Sequence, residues 1–171
     1  MNKKDTVVFD LDGTLLDTLE DLKNSVNYAM TQCVYPEHTL DEVRRYVGNG
    51  ILLLMQRAIP GGKDDPNFDK AFTLFKEHYG KHCNDTTKPY AGIMELLHTL
   101  KENNIKIAIV SNKADFAVKE LNAIYFKDLI PVAIGEKESE GIRKKPAPDT
   151  VIEALKQLGS TAENSVYIGD S

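Results

Sequence analysis

The sequence predicts an α/β fold, a doubly wound and mostly parallel sheet with an all-helical domain inserted after the first strand. Three observations carry the prediction. Four short, nearly continuous runs rich in Val and Ile read as strands covered on both faces. Helical stripes alternate with those strands over the second half of the chain. From Thr18 to about Thr87, by contrast, there are amphipathic helical patterns and no convincing strand.

Taken in order, Thr6 to Phe9 (TVVF) is the first strand. The insert then offers Leu19, Leu22, Val26, Ala29, Met30 and Cys33 as one stripe and Leu40, Val43 and Val47 as a second. A further helix lies around Ile51 to Ala58, and a last stripe holds Phe68, Ala71, Phe72, Phe75 and Tyr79. Pro36 separates the first two, and Pro60-Gly61-Gly62 with Asp64-Asp65-Pro66 separates the last two. Four such helices bury their stripes against one another as a small bundle. The expected domains are a discontinuous α/β core, residues 1–17 and 88–171, and a helical domain, residues 18–87, whose two crossings at one edge of the core suit a lid. After Lys88-Pro89, Ile93, Met94, Leu96, Leu97 and Leu100 form a helix ending near Asn103-Asn104. Ile105 to Val110 is the second strand, Phe116, Leu121 and Ile124 mark a helix, and Ile130 to Ile134 is the third strand. Val151, Ile152, Leu155 and Leu158 mark a helix stopping at Gly159, and Ser165 to Ile168 is the fourth strand.

Composition narrows the function classes. The 171 residues are 42% hydrophobic and 27% charged, enough for the core of one large domain or two small ones. Lys plus Arg total 21 against 26 Asp plus Glu, a net charge of −5, which lacks the cationic field of a nucleic-acid binder. Cys33 and Cys83 are far apart and outside any CxxC or Cys/His cluster, as expected of buried cysteines in a reduced compartment. The start, MNKKDTVVFDLDG, lacks the apolar region of a signal peptide, and no apolar run approaches the roughly 18 residues of a membrane span. A soluble, cytoplasmic protein with neither nucleic acid nor membrane as partner is expected.

Chemistry concentrates at strand ends, where ligands bind in open α/β sheets. In FDLDGTLLDT, Phe9 to Thr18, Asp10 and Asp12 are two apart and point the same way in extended chain. They repel unless a cation or a division of acid and base roles separates them. Gly13 permits the tight turn that follows. Val110-Ser111-Asn112-Lys113 ends the second strand with a hydroxyl and then backbone amides, which suits either a phosphate contact or a helix cap. In Arg143-Lys144-Lys145-Pro146-Ala147-Pro148-Asp149 the prolines restrict the loop and pre-set the next helix, while Arg143 and Lys144 read as solvated cations. Ile168-Gly169-Asp170-Ser171 ends the chain. In the insert, Arg45-Tyr46-Val47-Gly48-Asn49-Gly50 reads as an interhelix turn or as a cradle of amides for a small polar group. His78 and His82 share a helix face but lack a third ligand nearby, so they read as solvated helix residues. Neither GxGxxG nor GxxxxGK[ST] occurs.

DLDGTLLDT resembles the first motif of the haloacid dehalogenase superfamily, and the later motifs follow in the family's order over the whole chain. The resemblance implies a catalytic set of Asp10, Asp12, Ser111 and Lys145. Asp10 is the nucleophile that forms an aspartyl-phosphate, Asp12 the general acid and base, Ser111 a phosphoryl contact, and Lys145 the cation that neutralises nucleophile and phosphate. It also implies phosphate contacts at Thr14 and the Asn112 amide, and a Mg²⁺ ion held by Asp10, the backbone carbonyl of Asp12, and Asp170. The family's second acid after Asp170, and its last strand and helix, do not follow here, so the chain is expected to be a fragment with Asp170 left to fray and metal held weakly or not at all. The helical insert corresponds to the small cap of one branch of the family, a type that excludes water and selects substrate. VGNG in such a cap is similar to that of phosphoglycolate phosphatases, making Gly48, Asn49 and Gly50 the substrate-recognition candidates. The expected activity is Mg²⁺-dependent hydrolysis of a small, 2-phosphoglycolate-like phosphomonoester by a monomer or homodimer, with a small phosphorylated metabolite as partner. Pyrophosphatase, β-phosphoglucomutase-like and sugar-phosphate phosphatase activities stay open, as does a non-catalytic phosphoacceptor or metal-binding module.

Overall fold

Successive residues of a strand face opposite sides, so a strand apolar throughout needs cover on both. The computed structural model describes residues 4–170; residues 1–3 and Ser171 of the last motif lie outside the described residues. In chain order the elements are β1 (Thr6–Phe9), β2 (Leu16–Asp17), α1 (Leu19–Gln32), α2 (Leu40–Tyr46), α3 (Ile51–Ala58), α4 (Phe68–His82), β3 (Lys88–Pro89), α5 (Ile93–Glu102), β4 (Lys106–Ala114), α6 (Asp115–Tyr125), β5 (Val132–Glu136), α7 (Asp149–Gln157) and β6 (Ser165–Ile168). Four strands form a parallel sheet in the order β5-β4-β1-β6, and β2 pairs with β3.

Both faces of β1, β4 and β5 are covered, whereas β6, expected to be covered as well, leaves Val166, Tyr167 and Ile168 39–41% exposed. Phe9, Ile107 and Ile109 pack on one side with Leu97 of α5 and Val118 and Leu121 of α6. Val8, Ala108, Val110, Val132 and Ile134 pack on the other with Ala154 and Leu155 of α7. This is the doubly wound α/β fold that the apolar runs predict. The helix stripes differ from expectation in detail. Phe116 is 69% exposed, Ile124 51% and Ile152 59%, while the smaller Ala117 and Val118 of α6 and Ala154 of α7 face the core beside Leu121 and Leu155. The third strand also begins two residues later than its apolar run, because Ile130 packs in the core below α6 and its carbonyl accepts from Asn122 Nδ2 at 3.1 Å.

The chain divides into two compact units, one of residues up to Leu16 and from Pro89 on, the other Asp17–Lys88. The second is helical. Its core gathers Val26, Ala29 and Met30 of α1, Val43 of α2, Leu54 and Met55 of α3, and Ala71 and Phe75 of α4, with Cys33 and Cys83 buried among them. Thr39 and Glu42 form a reciprocal capping box that starts α2. Asp21, 1% exposed on α1, accepts from the backbone amides and hydroxyls of both Thr86 and Thr87 at 2.7–3.0 Å, fastening the end of the unit to its beginning. Among the described residues no helix is long and apolar enough to cross a membrane.

Candidate active site

Register decides which side chains meet at the carboxyl end of the sheet. Phe9 is level with Ile109 of β4 and with Ile168 of β6, so Asp10 emerges beside the Val110-Ser111 and Gly169-Asp170 segments. The Asp10 amide continues the ladder by donating to the Ile168 carbonyl at 2.9 Å. Its side chain is buried, with Oδ1 accepting from the Leu11 amide at 2.7 Å and Oδ2 lying 2.7 Å from Lys145 Nζ. A buried carboxylate is tolerable only with such a partner, and removing the ammonium costs about 3–5 kcal/mol.

Lys145 belongs to the loop between β5 and α7, and two residues hold it. The Asn112 side chain grips its main chain at both ends: Oδ1 accepts from the Lys145 amide at 2.9 Å, and Nδ2 donates to the Lys145 carbonyl at 3.1 Å. The Tyr167 hydroxyl of β6 accepts from Nζ at 2.8 Å. Burial pushes the Tyr167 phenol above its ordinary range, the charges of Asp10 and Asp170 add to that, and the Lys145 hydrogen bond opposes it. The helix start is tied down as well. Arg143, read from sequence as merely solvated, donates from its amide, Nε and Nη2 to Asp149 at 2.8–3.2 Å, and Lys144 stands 3.3 Å from Glu138. The guanidinium beside Asp149 holds that carboxyl below the usual carboxylate range.

Asp12 has its own ammonium. Lys113 Nζ is 2.9 Å from Asp12 Oδ1, with the two side chains 5% and 17% exposed. The Ser111 hydroxyl accepts from the Lys113 amide at 3.2 Å and lies 3.5 Å from Asp12 Oδ2. Each of the two neighbouring acids thus faces a lysine, of which the sequence pointed to Lys145 alone. Both Lys113 and Tyr167 escaped the sequence reading.

Two glycines allow the close approach. A Cβ on Gly169 would lie 2.9 Å from Asp10 Cβ and from the Tyr167 ring and hydroxyl. Gly13, at φ +77°, turns the chain under Asp170, whose Oδ2 would be 2.5 Å from a Cβ there. Asp170 is exposed and its Oδ1 is 3.5 Å from the Thr14 hydroxyl. Asp10, Asp12, Thr14, Ser111, Asn112, Lys145 and Asp170 therefore share one end of the sheet.

Gly48, Asn49 and Gly50 lie in the helical unit, between α2 and α3. Gly48 has φ 121° and Gly50 φ 89°, and Arg57 fixes the turn by donating to the Tyr46 carbonyl at 2.8 Å and to Asn49 Oδ1 at 3.3 Å. Asn49 thus spends its amide oxygen inside the unit. His78 stacks on Tyr28 and on His82, with Nδ1 2.9 Å from the Ser25 hydroxyl, while His82 Nδ1 is 2.7 Å from Asp85. The His82 side chain stays 44% exposed, as expected from sequence, while His78 is the more enclosed of the two rings.

The sheet order and the acid and lysine cluster at its carboxyl end define the class, a doubly wound α/β fold with a charged site on its strand ends. A family profile described as haloacid dehalogenase-like hydrolase matches residues 7–171, and the chain belongs to that family. Among curated relatives, phosphoglycolate phosphatase of Pseudomonas putida is 31% identical over 96% of this chain and 62% of its own length. That of Thiobacillus denitrificans is 31% identical over 96% of this chain and 74% of its own. A solved structure from Lactobacillus delbrueckii subsp. bulgaricus, assigned as a phosphoglycolate phosphatase, superposes with a TM-score of 0.88 at 34% identity, covering 99% of this chain and 79% of that one. The chain thus spans 62–79% of these three proteins.

Proposed function

We propose that this site hydrolyses small phosphomonoesters through a phosphorylated Asp10, with 2-phosphoglycolate-like compounds as the substrate class. The observation that carries the reading is the buried Asp10–Lys145 pair at 2.7 Å, with Asp12 two residues on and paired separately. A carboxylate attacks a phosphate dianion only where cations offset both charges, and preorganised cations do so without reorganisation. The names of the relatives above support the substrate class.

In the first step an Asp10 carboxylate oxygen bonds to phosphorus as the ester P–O bond breaks, and Asp12 gives its proton to the departing alcohol oxygen. In the second, Asp12 takes a proton from water, whose oxygen attacks phosphorus, releasing inorganic phosphate and the Asp10 carboxylate. Lys145, the Ser111 hydroxyl and the Asn112 backbone amide donate to the phosphoryl oxygens, and Thr14 lies at the rim. Asp10, the Asp12 carbonyl and Asp170 are hard oxygen donors of the kind Mg²⁺ takes, and the Asp170 carboxylate already sits over the glycine turn of Gly13. Bound there, Mg²⁺ would offset the charge on the phosphoryl oxygens. Gly48, Asn49 and Gly50 are proposed to recognise the leaving group.

The test is phosphate release by the purified full-length protein from 2-phosphoglycolate, hexose phosphates, pyrophosphate and an aryl phosphate, with Mg²⁺ and with a chelator. Hydrolysis of the monoesters that needs Mg²⁺, and falls about a thousandfold or more in Asp10→Asn, is the expected result. Undiminished turnover in Asp10→Asn, or cleavage of pyrophosphate alone, overturns the reading.

A further inference from the structure

Lys113 is the one charged side chain of the cluster to which the proposed phosphoryl chemistry gives no task. Its side chain is 5% exposed, and its ammonium is 2.9 Å from Asp12 Oδ1. Burying a flexible, strongly hydrated ammonium is costly, and here it is held against the acid of the site rather than left in water. The two lysines also stand at different ends of the reaction line. Lys145 is on Asp10, the carboxylate that meets phosphorus, whereas Lys113 is on Asp12, the carboxyl that meets the ester oxygen. The backbone fixes this difference, since Ser111 and Lys113 are two apart on β4 and the Ser111 hydroxyl accepts from the Lys113 amide at 3.2 Å.

Resting on the phosphatase reading above, we propose that Lys113 is a specificity-determining residue that binds an anionic group carried by the leaving alcohol next to its ester oxygen. In 2-phosphoglycolate one methylene separates the ester oxygen from the carboxylate. An ammonium within hydrogen-bond distance of the acid that protonates that oxygen is therefore in reach of the carboxylate. With such a substrate the ammonium is shared between the carboxylate and Asp12. With a neutral leaving group it keeps its ion pair with Asp12. A lysine that only balances the charge of Asp12 would treat both substrates alike.

The experiment compares kcat/KM for 2-phosphoglycolate and for ethyl phosphate in the full-length wild type, Lys113→Met and Lys113→Arg, with circular dichroism confirming that each variant is folded. Lys113→Met should lower the value for 2-phosphoglycolate about 100-fold, mainly through KM, with a loss for ethyl phosphate at least tenfold smaller. Lys113→Arg should recover most of the preference. Equal losses on both substrates, no loss on either, or a wild type that prefers ethyl phosphate overturns the assignment while leaving the phosphatase reading standing. A wild type that hydrolyses neither these nor any other monoester overturns the phosphatase reading itself. Should Lys113→Met fail to fold, Lys113→Arg and the wild-type preference for 2-phosphoglycolate decide the matter alone.

Discussion

Asn112→Ala isolates how the lysine beside the nucleophile is held. The Asn112 side-chain amide makes hydrogen bonds at 2.9 and 3.1 Å to the main chain of Lys145 rather than to its ammonium. Alanine deletes both and leaves a backbone donor and acceptor without their partner. At about 0.5–1.5 kcal/mol net for each bond, the loop loses roughly 1–3 kcal/mol of preference for its present position. Every 1.4 kcal/mol is a factor of about ten, so activity should fall about 5- to 140-fold if the whole loss appears as Lys145 straying from Asp10. Thermal unfolding should drop by roughly 2–4 °C per kcal/mol lost for a protein of this size. The assay is kcat and KM on an aryl phosphate beside a melting curve, with Asn112→Asp, which keeps the acceptor and loses the donor, falling between. Activity of Asn112→Ala within twofold of wild type would refute the claim that this amide positions Lys145.

Three further outcomes follow from other contacts. Gly169→Ala puts a methyl group 2.9 Å from Asp10 Cβ and from the Tyr167 ring, a clash worth about 1–3 kcal/mol of stability, and should cost most of the activity; a fully active variant with unchanged melting would show that the strand end yields freely. Burial alone would raise the Asp21 carboxyl, but the hydrogen bonds from Thr86 and Thr87 outweigh it and hold the group below its ordinary 3.8. A depressed carboxylate stabilises above its unfolded pKa and loses that contribution as pH falls through the folded value, so the helical unit should weaken below about pH 4, a loss that acid-unfolding curves of Asp21→Asn should lack. At neutral pH Asp21→Ala should destabilise by about 2–4 kcal/mol in denaturant titrations.

The limits of the strands were legible in their apolar runs: TVVF and SVYI are apolar at all but their first position and match β1 and β6, although only β1 is buried as such a run implies, while Val166, Tyr167 and Ile168 of β6 are 39–41% exposed. The stripes on α6 and α7 were less legible. A helical pattern built on large residues favours Phe116, Ile124 and Ile152, yet close packing on the sheet selects the small Ala117 and Ala154, and residue size alone does not reveal that choice. At the sheet end, the spacing of Asp10 and Asp12 pointed to one face and one charge problem. The same two-residue spacing holds for Ser111 and Lys113, so the rule that paired the acids could have found the second ammonium. Tyr167 carried no such signal, since Ser165 of the same strand also bears a hydroxyl and a phenol needs a protein partner only where it is buried. Asn112 was read for its backbone amide, and only tertiary structure reveals that its side chain holds a loop 33 residues away.

The most direct test of the account is to quench the full-length protein during turnover of a phosphomonoester, reduce it with borohydride, which converts an aspartyl-phosphate to homoserine, and sequence the peptides by mass spectrometry. The account predicts homoserine at position 10 and nowhere else, dependent on substrate and lost in Asp10→Asn. Homoserine at Asp12 or Asp170, or none at any position while phosphate accumulates, would contradict it.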